Sequence, residues 1–223
     1  MAARLLQFAA RTLFGFLSRV FWRVRTFGFE HVPRKGPVLI AASHESFLDP
    51  LVIGSLLPRY LRFLARSTLF GRDGRIGLHG RVLVGLGATP INRDGGGARD
   101  TLRKARALLD AGEAVLIFPE GTRSKDGELQ RFRRGVGIIA RETGCPVLPV
   151  SIRGSSGLWP RGKRLPIVFG GPVQVHVGAV VKYEMTTSAE DIAADIRDRV
   201  LHHRQSIFIL NRFWAYRPFN VVG

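Results

Sequence analysis

From residue 37 onward, short unbroken apolar runs alternate with longer segments in which apolar residues return every three or four positions. The runs read as buried strands and the recurring pattern as amphipathic helices, which predicts an α/β fold with a mixed central sheet flanked by helices. Strands are expected over 38–42, 61–65, 88–92, 114–118, 147–152, 167–169 and 173–177, and helices over 50–57, 98–109 and 135–142. Ala98, Leu102, Ala105, Leu108 and Leu109 share one side of the second helix, opposite Arg99, Arg103, Lys104 and Arg106. Gly112 and Gly144 stop the last two, since glycine accepts the left-handed conformation that ends a helix. Ser188 with Asp191 marks another helix start, and Ile192, Ile196 and Val200 form its apolar stripe. Loops are expected over 94–97 and 154–166.

The first 25 residues are rich in Leu, Phe and Ala, but Arg4, Arg11, Arg19 and Arg23 interrupt them, so no uncharged stretch reaches the ~18 residues a membrane span needs. On a helical wheel Arg4, Gln7, Arg11, Ser18 and Arg19 fall on one side and Leu6, Leu13, Leu17, Val20 and Phe21 on the other. A basic face opposite a Phe/Leu face suits a helix lying in the headgroup region, with Trp22 as an interfacial anchor. A helix packed on the protein's own core is the alternative. With no internal repeat or low-complexity linker, the expected organisation is an N-terminal amphipathic membrane-association segment over 1–28, an α/β domain over 29–187, and a C-terminal helix with an aromatic, basic tail over 188–223 packed on it.

Charge narrows the partners. The 223 residues hold 34 Lys and Arg against 17 Asp and Glu, a formal charge of +17, and 29 of the basic residues are Arg spread along the chain. A folded surface of that sign expects a polyanion: nucleic acid, an anionic membrane face, or a phosphorylated substrate. Hydrophobic residues make up 45%, enough for a core, which excludes disordered and fibrous classes. The lone Cys145 excludes an internal disulfide framework and any multi-Cys metal site, in agreement with a reducing compartment.

Polar residues collect where predicted strands end, the usual place for a site in an α/β fold. Strand 38–42 runs into Ser43-His44-Glu45-Ser46-Phe47-Leu48-Asp49-Pro50. Pro50 suits a first helical position and makes Asp49 the N-cap candidate. An Asp that holds one imidazole nitrogen fixes the tautomer and stabilises the imidazolium formed when the other accepts a proton. A surface His beside a capping Asp accounts for the same two residues. Strand 114–118 leads into Phe118-Pro119-Glu120-Gly121-Thr122-Arg123-Ser124, and 88–92 into Arg93. An Arg at such a point can clamp an anion such as phosphate, whereas Glu120 with Arg123 can equally be a local ion pair in a tight turn.

Together these segments resemble the glycerolipid acyltransferase family, whose hallmark is His-x4-Asp. The hallmark stands here as His44 to Asp49, the Phe-Pro-Glu-Gly-Thr-Arg-Ser block is unaltered at 118–124, the intervening Gly-to-Arg block spans 87–93, and a Pro-containing apolar block spans 145–152. The resemblance covers roughly 29–177, and Ser43 departs from it where the family more often has Asn. It implies an acyltransferase that moves a fatty acyl group from acyl-CoA or acyl carrier protein to the free hydroxyl of 1-acylglycerol 3-phosphate, giving phosphatidic acid in phospholipid biosynthesis. His44 and Asp49 are the implied catalytic pair, with Arg93, Glu120, Gly121, Thr122 and Arg123 at the substrate and Glu120 ordering the site or contacting the glycerol hydroxyl rather than acting as base. No metal or cofactor is implied beyond the acyl carrier as co-substrate, and His202 and His203 read as a solvated helix face. The implied location is the cytoplasmic face of an anionic membrane, monotopic or peripheral. Another acceptor within the family, such as glycerol 3-phosphate, a lyso-ornithine lipid or another lysophospholipid, is the alternative. Outside it stands a basic nucleic-acid-binding domain, suggested by Phe213, Trp214, Tyr216 and Arg217.

Overall fold

The computed structural model describes residues 2–71, 76–92, 97–124, 126–159, 167 and 170–215, and only the backbone of 2–7, 10, 79 and 206–215. Among these residues seven strands form one sheet: β1 (Arg25–Phe27), β2 (Val38–Ala42), β3 (Leu61–Arg66), β4 (Ala88–Ile91), β5 (Ala114–Ile117), β6 (Val147–Arg153) and β7 (Gln174–Val177). Their order is β1-β7-β6-β2-β5-β3-β4. Neighbours run parallel except β6 with β7, so the sheet is mixed, as predicted. Every residue of β2 is buried, which explains the unbroken apolar run: both faces of a central parallel strand are covered.

Helices α1 (Ala2–Phe21), α2 (Asp49–Leu56) and α3 (Leu78–Gly85) cover the face that carries Val38, Ile40 and Ala42. Helices α4 (Gly97–Asp110), α5 (Gly135–Thr143) and α6 (Ala189–Ala215) cover the face of Leu39 and Ala41. The predicted stops hold: α5 ends at Gly144 with φ 60°, and the Asp191 N–H donates to Ser188 Oγ at 3.1 Å where α6 begins. Three features differ from the prediction. Strand β1 lies inside the segment expected to be helical and is too short to show a period. Helix α3 exposes Leu78 and Val82 and so carries no buried stripe to read. Ile167 belongs to no strand, and residues 168 and 169 lie outside the described set, as do 94–96 and 160–166 of the predicted loops.

Helix α1 forms, and it packs on the domain through its polar side. Arg11 turns inward, its Nε and Nη2 donating to the carbonyls of Gly54 and Leu57 at 3.1 and 2.6 Å, and so satisfies the orphan acceptors at the end of α2. Ser18 is fully buried, and a Cβ on Gly15 would meet the Ser55 carbonyl at 3.2 Å, so the small and polar residues make the close contact. Phe8, Leu13, Phe16 and Val20 remain exposed on the other side. Trp22 is a core residue rather than an interfacial anchor: it is buried, its Nε1 donates to the Ile167 carbonyl at 3.0 Å, and its ring meets Phe14 edge-on.

Candidate active site

Strands β2 and β5 are parallel neighbours, with Ala41 opposite Ile117, so their C-terminal ends deliver the two polar segments to one place. His44 Nδ1 lies 2.8 Å from Asp49 Oδ2. The same oxygen accepts the N–H groups of Glu45 and Ser46 at 2.7 and 2.8 Å. Asp49 is therefore not the N-cap. It is the first residue of α2, Leu48 holds the cap position without a side-chain bond, and the carboxylate folds back to close the turn that precedes the helix. Asp49 is wholly buried, while the His44 side chain keeps 17% exposure. Phe118 stacks on the imidazole with ring centroids 3.9 Å apart, fixing its plane. With Nδ1–H donated to a carboxylate, Nε2 is the nitrogen left to accept a proton.

Glu120 is buried beside this turn. Its Oε1 accepts the His44 N–H at 2.7 Å and its Oε2 the Gln130 N–H at 3.0 Å. Burial raises its pKa, and the two N–H bonds oppose that shift. Both oxygens thus brace backbone. The Ser124 N–H returns a bond to the His44 carbonyl at 2.8 Å, so the segments are joined in both directions. Gly121 has φ +75°, so this turn favours glycine for its backbone conformation, and the Arg133 side chain lies against it. Thr122 is exposed. The Arg123 guanidinium lies 3.6 Å from the centre of the Phe47 ring, a cation–π contact that places it over the His44 turn. Arg93 lies outside the described residues.

Several participants carried no local motif. Ser43 Oγ accepts the Ile152 N–H at 2.9 Å and donates to the Ile152 carbonyl at 3.2 Å, so this small hydroxyl stitches the turn to β6. Phe47, half exposed, meets Trp159 edge-on at 5.8 Å. Glu45, between His44 and Ser46, is buried and paired with Arg204 of α6 at 2.7 Å. One signal existed: Arg204 follows Val200 by one more step of four on the apolar stripe of α6, where a charge is out of place. Cys145 precedes β6 at the end of the sheet opposite His44, is buried, and has its thiol pKa raised by that burial. His202 is exposed as predicted, whereas His203 is partly buried and would touch a Cβ at Gly178. Among the described residues no group of three or more His, Cys, Asp or Glu could hold a metal ion.

Comparison with known proteins converges on one family. A profile described as acyltransferase matches residues 23–153. The chain is 34% identical over 159 residues to the chloroplastic 1-acyl-sn-glycerol-3-phosphate acyltransferase BAT2 of Brassica napus, covering 70% of this chain and 44% of that one. It is 31% identical over 154 residues to the 1-acyl-sn-glycerol-3-phosphate acyltransferase of Bacillus subtilis, covering 67% and 73%. Against the mouse alpha enzyme of the same name the identity is 30% over 206 residues, covering 92% and 68%. The chain spans less than half the length of the chloroplast relatives it matches. The crystal structure of the 1-acyl-sn-glycerophosphate (LPA) acyltransferase PlsC from Thermotoga maritima has the same fold, with a TM-score of 0.70 at 24% identity over 90% of this chain and 79% of that one.

Proposed function

This chain belongs to the acyltransferase family, and from that membership we propose that it transfers a fatty acyl group from acyl-CoA or acyl carrier protein to the free hydroxyl of 1-acylglycerol 3-phosphate. The observation that carries the reading is the 2.8 Å bond between His44 Nδ1 and the wholly buried Asp49, beside a partly open imidazole. An alcohol is a poor nucleophile at neutral pH. His44 Nε2 takes its proton as the oxygen attacks the thioester carbonyl, and Asp49 stabilises the imidazolium that results. Collapse of the tetrahedral intermediate breaks the C–S bond, and the thiolate leaves with the proton returned from Nε2. The step is direct, because the one thiol of the chain is buried at the far end of the sheet. So written, the reaction needs no metal or cofactor, the acyl carrier being co-substrate. Arg123, held over Phe47, is assigned with Arg93 to the phosphate of the acceptor, since a guanidinium matches phosphate oxygens.

The same reading sets the protein on an anionic membrane as a peripheral enzyme of the cytoplasmic face, where a free thiol is at home. Phe8, Leu13, Phe16 and Val20 on α1, with Leu78 and Val82 on α3, leave apolar side chains exposed on the layer that covers one face of the sheet. Among the described residues no helix is long and apolar enough to cross a membrane. A surface this basic gains about 1 kcal/mol of attraction for each well-placed Lys or Arg near anionic lipid.

The test is an assay of the purified protein with lysophosphatidic acid and both classes of donor, following thiol release and phosphatidic acid. Transfer should occur, and His44→Ala should remove about 10²- to 10⁴-fold of the rate. Near-wild-type turnover in that variant would sink the mechanism. Transfer only to glycerol 3-phosphate or to a lyso-ornithine lipid in a parallel panel would replace the acceptor.

A further inference from the structure

Among the residues whose side chains are described Arg204 is the only Lys or Arg that is buried, at 5% exposure. It stands on α6, well beyond the end of the family-matched segment 23–153. Nη2 donates to Glu45 Oε1 at 2.7 Å and to the Gly127 carbonyl, and Nη1 donates to the Ile152 carbonyl at 3.1 Å. Glu45 Oε2 accepts the N–H groups of Gly154 and Ser156 at 3.0 and 3.3 Å. Glu45 also donates its own N–H to Asp49 Oδ2. One guanidinium therefore joins the turn that carries His44, the end of β6 and the loop at Gly127.

Three buried carboxylates, Glu45, Asp49 and Glu120, converge on this turn. Like charges in so dry a place repel. Burial and the nearby Asp49 push the pKa of Glu45 up, and Arg204 pulls it down; Arg204 acts in the same sense on Glu120. Stability alone does not call for such an arrangement, because an apolar pair of similar volume often serves a core as well as a buried ion pair. What an apolar pair cannot do is accept the Gly154 and Ser156 N–H groups and so fasten the loop after β6 to the residue next to His44.

We propose that Arg204 is a positioning residue for the acyl transfer: paired with Glu45, it holds the 43–49 turn closed and keeps Asp49 on His44, so that the C-terminal helix completes the active site. The inference takes its reaction from the reading above, while the tie between helix and turn stands on geometry and can be tested apart from activity.

The experiment compares wild type with Arg204→Met, Arg204→Lys, Glu45→Gln and the double variant Glu45→Met/Arg204→Met. Steady-state kinetics with lysophosphatidic acid and acyl-CoA are combined with thermal melts and amide hydrogen exchange over 43–49. Arg204→Met should lower kcat by about 10- to 10²-fold with both KM values within about twofold, as expected when reacting groups are present but displaced. Exchange at His44, Glu45 and Ser46 should rise at least about tenfold. Arg204→Lys should recover part of the rate. The double variant should keep its melting temperature and still turn over slowly. Full kcat in a stable double variant, or unchanged exchange in a folded Arg204→Met, would overturn the proposal. If Arg204→Met does not fold, Glu45→Gln carries the same comparison, and unchanged kcat and exchange there would overturn it equally. A wild-type protein that transfers acyl groups to no lyso-acceptor would defeat the functional reading alone, and the exchange data would then decide the tie.

Discussion

Glu120 holds the backbone of His44: its Oε1 accepts the His44 N–H at 2.7 Å. The second motif therefore acts on the first from beneath, through main chain, and its carboxylate is spent on two N–H groups. Glu120→Gln keeps the shape but offers one acceptor oxygen where two donors point, so one buried N–H loses its partner. We expect kcat to fall about tenfold or more with the acceptor KM within about twofold. A rise in acceptor KM at constant kcat would instead place Glu120 on the substrate.

Asp49→Asn tests the same turn from the other side. One oxygen of Asp49 serves three donors, His44 Nδ1 and the N–H groups of Glu45 and Ser46. An amide can satisfy them only with its oxygen in that place, and it carries no charge to stabilise an imidazolium. The rate should drop about 10²- to 10⁴-fold. Stability should drop about 1–3 kcal/mol, the cost of weakening buried bonds to a charged acceptor, measured by urea denaturation. A stable, fully active variant would remove Asp49 from the mechanism.

These two residues show what could be read in advance. The His44 and Asp49 pairing was legible because both ends of it lie in one short turn that leaves a buried strand, and the central strands were legible because burial on both faces writes an unbroken apolar run. The bond from Glu120 to the His44 backbone was not, since it depends on β2 and β5 being neighbours and on a main-chain donor that no side chain announces. Glu45 looked like one of many polar loop residues until α6 brought Arg204 to it from 159 positions away. The wheel of α1 shows its two sides but not that Arg11, on the basic one, is an inward contact. An arginine with a long apolar stem can cap a neighbouring helix from inside, so charge alone does not decide which face meets water.

His176 gives the fold a pH dependence of known sign. It stacks on Phe27 with ring centroids 4.3 Å apart, holding edge strand β1 to β7. Burial, with a smaller push from His203, lowers its pKa from 6.5 to about 4. The folded state keeps the ring neutral where the unfolded chain protonates it. Its contribution is therefore complete above about pH 6.5 and is lost as pH falls toward 4. Melting temperatures taken across that window should fall more steeply for wild type than for His176→Phe, which keeps the stack without the proton. Parallel curves would exclude His176 as the source.

Arg11→Met should loosen α1 without touching the site. Its two bonds to the carbonyls of Gly54 and Leu57 are lost while most of the stem is kept. Because the guanidinium is only partly buried, the loss should be about 1–2 kcal/mol, the lower end for bonds to a charged group. Limited proteolysis between α1 and β1 should then quicken, and turnover of detergent-dispersed substrate should hold. An unchanged cleavage rate would mean that α1 is fastened by its packing alone, through Phe14, Gly15, Ser18 and Phe21.

With Arg11 bonded to the end of α2 and Gly15 packed on Ser55, α1 leaves Phe8, Leu13, Phe16 and Val20 exposed as an apolar surface for lipid. Leu13 and Phe16 are 59% and 62% exposed, so replacing both by Glu removes side chains that have nothing else to bury against. Each apolar side chain kept out of the bilayer forfeits up to about 1.5–3 kcal/mol, so the double variant should bind phosphatidylglycerol vesicles at least about tenfold more weakly. Turnover of detergent-dispersed lysophosphatidic acid should stay near wild type, because α1 lies on the layer away from the α6 contact with Glu45. The binding that survives should lean more on the basic surface and should fall more steeply than wild type's as salt is raised toward 0.5 M, because the lost apolar share is the part that salt does not screen. Undiminished binding by the double variant would move the membrane contact off α1, and Leu78 with Val82 on α3 would then be the surface to mutate.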